Sequence, residues 1–120
     1  MNKLDINNTV FENIKHIDDN GMEYWSAREL QQILNYTQWR RFNEVIKKAK
    51  KVCEMSRNNI LDHFANVGKM VKTGYLIRKI KDYKLSRYAC YLIVQNSDPR
   101  KETVVLGQTY LVHSFKKTRL

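Results

Sequence analysis

The sequence predicts a helix-rich α+β domain with a small antiparallel β-sheet. Three observations lead there. Only four Gly and one Pro occur in 120 residues, which favours long helices over a many-turned sandwich or barrel. Apolar residues recur at helical spacing along 37–53 and crowd all sides of 85–96. Between those stretches, 75–83 mixes β-branched and aromatic residues with Lys and Arg, a composition suited to an extended strand. The length is that of one domain, so 1–120 is read as a single unit that closes its core without disulfide or metal.

The elements follow in chain order. Val10, Phe11, Ile14 and Ile17 fit a short helix, although the stretch equally suits a strand at its end. Asp18-Asp19-Asn20-Gly21 is a turn signal, because Asn and Gly tolerate positive φ. With Met22-Glu23-Tyr24-Trp25 behind it, 14–25 reads as a small hairpin. Ser26-Ala27-Arg28-Glu29 is a capping box in which hydroxyl and carboxylate serve orphan N–H groups reciprocally. Ala27, Leu30, Ile33 and Leu34 give the helix behind it an apolar face, and Asn35-Tyr36 ends it.

Thr37 is placed to cap the next helix. Trp39, Phe42, Ile46, Ala49 and Cys53 recur at spacings of 3, 4, 3 and 4, one stripe of an α-helix. At about 100° per residue, Arg40, Arg41, Lys47, Lys48, Lys50 and Lys51 fall opposite that stripe. From Asn58 to Lys72 two readings compete. Ile60, Phe64, Val67 and Val71 suit a helix, but Val67 to Val71 also suits a hairpin that turns at Thr73-Gly74. The run Tyr88 to Val94 marks 86–96 as the central buried helix, since a helix apolar on all sides needs cover all round. Asp98 as N-cap and Pro99 at the first helical position begin a further helix, to which Val105, Tyr110, Val112 and Phe115 supply apolar contacts.

The charge is strongly uneven. Twenty-two Lys and Arg oppose twelve Asp and Glu, a formal net charge of +10. Residues 1–36 are net −3, whereas 37–57 are net +5 and 69–87 net +6. Such blocks point to a polyanionic partner. The longest apolar run, Tyr88 to Val94, is far short of the roughly 20 residues of a membrane span, and no signal peptide opens the chain. A soluble, cytoplasmic protein is expected, with no membrane partner.

Lys and Arg neutralise phosphates and release condensed counterions, a gain that does not depend on base sequence. The candidate DNA-binding residues are Arg40, Arg41, Lys47, Lys48, Lys50 and Lys51 in the first block. Arg78, Lys79, Lys81, Lys84 and Arg87 form the second, with Lys69 and Lys72 upstream. The bland reading, a solvated helix face, fits the first block poorly because like charges repel at i,i+4 spacing. Tyr75 and Tyr83 suit core or cross-strand positions better than base stacking, and Trp25 and Trp39 suit core anchors. Cys53 and Cys90 lack metal-site spacing and read as buried hydrophobes.

No catalytic residue, metal or cofactor is expected. His16, His63 and His113 are isolated from one another, and no zinc-protease, nucleophile-elbow or P-loop motif occurs. Asp62-His63 fits an exposed or capping pair. Asp82-Tyr83-Lys84 superficially matches the carboxylate-x-Lys element of Mg²⁺ nucleases, but its surroundings are cationic and lack the further carboxylates such a site needs.

A resemblance sharpens this reading. Tyr24-Trp25-Ser26-Ala27-Arg28-Glu29-Leu30-Gln31, followed by Tyr36 and Trp39-Arg40-Arg41-Phe42, resembles the bacterial DNA-damage-inducible protein D family. Asp62-His63-Phe64, the run from Asp82 to Asn96, Asp98-Pro99-Arg100-Lys101-Glu102 and Leu106-Gly107-Gln108-Thr109-Tyr110 extend the resemblance. The N-terminal part of that family is similar to the BRO-N domain of viral and phage antirepressor-like proteins. The resemblance implies a BRO-N-like fold, DNA binding, and a link to the SOS or DNA-damage response or to phage and mobile-element regulation. It supplies no catalytic residues. Members of the family continue into a C-terminal region beyond the match, so activities that need that region are not carried over. The expected function is a DNA-binding regulatory module. The alternative is a protein-interaction module acting on a recombinase filament, a repressor or another host factor, and a homodimer is compatible with either.

Overall fold

A computed structural model describes residues 10–101. Pro99 and Arg100, expected to open a further helix, form a turn behind Asp98, whose carboxylate accepts from Arg100 N at 3.0 Å; the rest of that stretch, with Val105, Tyr110, Val112, His113 and Phe115, lies outside the described residues.

A helical turn over 10–13 (α1) is pinned by the Trp25 indole N–H, which donates to the Phe11 carbonyl at 3.0 Å. The hairpin expected over 14–25 is present. Strand β1 (His16–Ile17) pairs antiparallel with β2 (Glu23–Ser26), and Gly21 takes a φ of 79° in the turn. Helix α2 (Ala27–Ile33) starts as the capping motif predicts, with Ser26 Oγ accepting from Glu29 N. The reciprocal half of the box is redirected, because the Glu29 carboxylate lies 2.6 Å from His16 Nε2 instead.

Helix α3 (Trp39–Met55) starts one residue later than Thr37 as cap would place it, behind Gln38, whose side chain makes no capping bond. Phe42, Ile46, Ala49 and Cys53 are buried as the spacing requires, whereas Trp39 is half-buried at the end of the stripe. Both α2 and α3 end in Schellman geometry. Asn35 (φ 60°) and Arg57 (φ 62°) adopt the left-handed conformation, and the next amide reaches back to Gln31 and Cys53 carbonyls respectively.

The ambiguous stretch resolves toward the hairpin. After the single turn α4 (Ile60–His63), β3 (Phe64–Thr73) and β4 (Leu76–Leu85) pair antiparallel in unbroken register from Phe64↔Leu85 to Thr73↔Leu76. The strand therefore begins at Phe64, earlier than Val67. Gly74, at φ 62°, occupies the first of two loop positions with Tyr75 second, the arrangement of a type II′ turn. The sheet order is β1-β2-β4-β3, but β2 touches β4 only through Trp25↔Leu85 and Ser26↔Lys84. Beyond that join the hairpin is a two-stranded arm.

Helix α5 (Arg87–Gln95), capped by Ser86, buries Ala89, Cys90, Leu92, Ile93 and Val94, while Tyr88 and Tyr91 pack at its flanks. It lies against α3, and Trp25, Phe64 and Leu85 close the core from the sheet side. Both cysteines are buried free thiols, and burial pushes each above its ordinary pKa.

Candidate nucleic-acid interface

The two cationic blocks meet at one side chain, Tyr83. It is buried where β4 leaves the core, and two ammonium groups close over it: Lys50 of α3, 4.3 Å from the ring centroid, and Lys81 of β4, at 5.3 Å. Lys50 Nζ also donates to the Tyr83 hydroxyl at 3.1 Å. Burial would raise the Tyr83 pKa, but the neighbouring Lys81 and Lys50 more than offset it and hold the phenol below its ordinary value. Trp39 stacks on Tyr83 with centroids 6.4 Å apart, and the Arg28 guanidinium covers the outer face of Trp39 at 3.8 Å. Arg28 Nε donates to the Lys81 carbonyl at 2.7 Å, which ties α2 to the base of the arm.

The residues expected on the α3 face divide by angle. Arg40, Arg41, Lys47, Lys48 and Lys51 are exposed, and Lys47 makes a loose 3.5 Å ion pair with Glu44. Lys50 does not lie opposite the stripe. At about 100° per residue it stands only about 20° from Trp39, on the flank that faces Tyr83, and so it bridges α3 to the arm.

The second block divides too. Arg78, Lys79 and Lys81 are exposed on β4. Lys79 lies flat across Gly68 of β3, where a Cβ would fall 1.9 Å from Lys79 Cε. Lys84 is turned toward β1–β2, above the Tyr24 ring at 4.4 Å and 3.7 Å from Asp18. Arg87 is a correction to the expected interface. Its guanidinium forks onto the Glu23 carboxylate, with Nε and Nη2 at 2.7 and 2.9 Å, and lies 5.1 Å from the Trp25 ring centroid. A guanidinium held bidentate at 19% exposure fastens α5 to β2 and has no fork left for a phosphate.

Tyr75 and Tyr83, which sequence spacing treats alike, behave oppositely: Tyr83 is buried, whereas Tyr75 is fully exposed at the arm's tip. Asp82, the carboxylate of the Asp82-Tyr83-Lys84 element, is engaged within the fold. It is 5% exposed and accepts from Ser26 Oγ at 2.7 Å, Arg28 N at 3.0 Å and Tyr83 N at 2.8 Å. Three donors engage both of its oxygens at the start of α2, where a negative charge also suits the helix dipole. Asp62 is exposed, and His63 Nδ1 lies 2.6 Å from Ser86 Oγ. Among the described residues no three His, Cys, Asp or Glu side chains converge as metal ligands, and no helix is long and apolar enough to cross a membrane. A cleft of about 300 Å³ between β1–β2 and the base of the arm holds Glu29, Lys69, Asp82 and Lys84, and Glu29, Asp82 and Lys84 already have partners within the fold.

Sequence reasoning missed Arg28. It belongs to the acidic first third of the chain, and no local pattern shows that α2 delivers it to the arm.

Comparisons with known proteins agree with this architecture's expected relatives. The model of the BRO family, N-terminal domain, matches residues 13–111. The DNA damage-inducible protein D of Escherichia coli (strain K12) is 47% identical over 111 residues, 92% of this chain and 40% of that protein. The chain thus spans well under half the length of this curated relative. No solved structure matches.

Proposed function

The chain belongs to the BRO family by its N-terminal domain, and from that premise we propose that it is a non-catalytic, DNA-binding regulatory module. The observation that carries this reading is the junction at Tyr83. Lys50 of α3 and Lys81 of the arm close over the same ring, so two cationic blocks far apart in sequence come together there. Acidic groups are scarce along both: Glu44 and Glu54 on α3, and none at all in 66–81. A phosphate backbone supplies the complementary charge, and each neutralised phosphate releases counterions. The relative's name, a DNA damage-inducible protein, supports a role in the response to damaged DNA. A recombinase or repressor would then be a secondary partner.

The test is filter binding of duplex DNA across several salt concentrations, on wild type and on Lys47→Glu with Lys51→Glu. Binding should weaken on every DNA sequence alike. Two lost phosphate contacts should flatten the slope of log K against log salt by roughly 1.8. Equal affinity and equal slope would make α3 a solvated face, and the Arg78–Arg87 block, or a protein partner, would then be the better candidate. Plasmid cleavage with Mg²⁺ by the pure protein would overturn the non-catalytic part.

A further inference from the structure

We propose that the tip of the β3–β4 arm is a wedge that inserts between base pairs of duplex DNA and kinks it; this rests on the DNA-binding reading above. The tip carries apolar side chains that, among the described residues, are left exposed. Tyr75 is fully exposed, Leu76 and Ile77 are 68% and 67% exposed, and Met70 is 64% exposed. The register places Leu76 on one face of the arm with Thr73 and Val71, and Ile77 on the other with Lys72 and Met70. Each face therefore carries an exposed apolar side chain at the end of the arm, Leu76 beside Thr73 on one and Ile77 beside Lys72 on the other. A surface meant to fold back onto the body would be apolar on one face only. Apolar groups on both faces and at the turn suit a site that closes on the tip from two sides, as two stacked base pairs do.

Lys72 pairs with Ile77 beside the tip, and Arg78, Lys79, Lys69 and Lys81 continue down the shaft. The segment 66–81 holds no acidic residue. A shaft of eight paired positions is roughly 27 Å long, enough for basic groups to lie along phosphates while the tip passes between them. The same charges argue against a second copy of this chain as occupant. Pairing two shafts through β3, the outer strand, would bring like charges together, and Lys on an edge strand discourages such pairing.

The experiment uses a duplex with one central TA step in G·C-rich flanks, fluorophores at its ends, and 2-aminopurine beside the step. Wild type should bend it by about 20–90° and brighten the 2-aminopurine as stacking is lost. Tyr75→Ser, Leu76→Ser and Ile77→Ser together should bind with an unchanged salt slope but neither bend nor brighten the probe. Tyr75→Ala alone, at the exposed turn, repeats the measurement if the triple variant melts early, and it should reduce the brightening. Binding by wild type without bending overturns the wedge and leaves the DNA-binding reading standing. Equal bending by the tip variants also overturns the wedge alone. A wild-type dimer that the tip variants convert to monomer in sedimentation assigns the arm to self-association instead. Failure of wild type to bind any duplex removes both readings.

Discussion

Ile93 and Ile77 are the same side chain under opposite conditions. Ile93, on α5, has no exposed surface, whereas Ile77, on the arm, keeps two-thirds of its own. The body of the molecule was built by packing: Trp25, Phe42, Phe64 and Leu85 converge on α5 and exclude water. The arm was not. Every residue from 66 to 81 is exposed except the half-buried Val71 and Ile80. A lone two-stranded hairpin is marginal in water, so this one stands because its base is clamped. Phe64 and Leu85 enter the core, Arg28 holds the Lys81 carbonyl, and Asp82 takes three hydrogen bonds from the α2 start and its own strand. The contrast separates the residues that keep the fold from those available to a partner.

The contrast breaks most directly with one substitution made twice. Ile93→Ala should cost about 2–5 kcal/mol, because it leaves a cavity in a packed core. Ile77→Ala should change stability by no more than about 0.5 kcal/mol. Urea denaturation of the two variants reads both, and a large loss for Ile77→Ala would mean the arm packs on something. Asp82→Ala should fall between them, at about 1–3 kcal/mol, since Ser26 Oγ and the Arg28 and Tyr83 amides lose their acceptor. Amide exchange across 66–81 should accelerate in that variant more than exchange in α5. If both regions respond equally, the clamp belongs to the body as a whole.

The smallest effect concerns the ion pair that fastens α5 to β2. Hydrogen bonds from Arg87 hold the Glu23 carboxyl below its ordinary value of 4.5, against the opposing pull of burial. A carboxyl pKa depressed by folding stabilises the native state fully above the unfolded value. That contribution is lost as pH falls through the folded value. Stability should therefore decline from about pH 5 downward, and Glu23→Gln should flatten part of the decline. Thermal melts at stepped pH measure it. An unchanged acid limb would show that the Glu23–Arg87 ion pair adds nothing measurable to stability.

Much of the body was legible in the sequence, because its elements obey a single period. The 3-4-3-4 stripe of α3 and the apolar run of α5 leave no competing arrangement, and the Asn-Gly turn fixes the first hairpin. Ile60, Phe64, Val67 and Val71 satisfied a helical period as well as a strand. What decided the matter was non-local: Phe64 pairs with Leu85 and extends the register outward from the core. The candidate interface was legible as composition but not as geometry. Lys and Arg counts located both blocks. Only three-dimensional placement shows that Arg87 meets Glu23, 64 residues away, that Lys50 turns to Tyr83, and that Arg28 joins them. Tyr75 and Tyr83 were indistinguishable because alternation is the same at both ends of a strand, while burial is not.

The clamp at Asp82 also has a consequence for descent. It ends the reach of the core: outward of it, the arm's exposed side chains are not needed to keep water from Trp25 or Ile93. Substitutions there escape the stability threshold that purges most changes in a packed interior. A lineage can therefore rewrite the tip and shaft residue by residue while inheriting the body intact. Among descendants of one ancestor, the surface of 66–81 can drift long before the fold does.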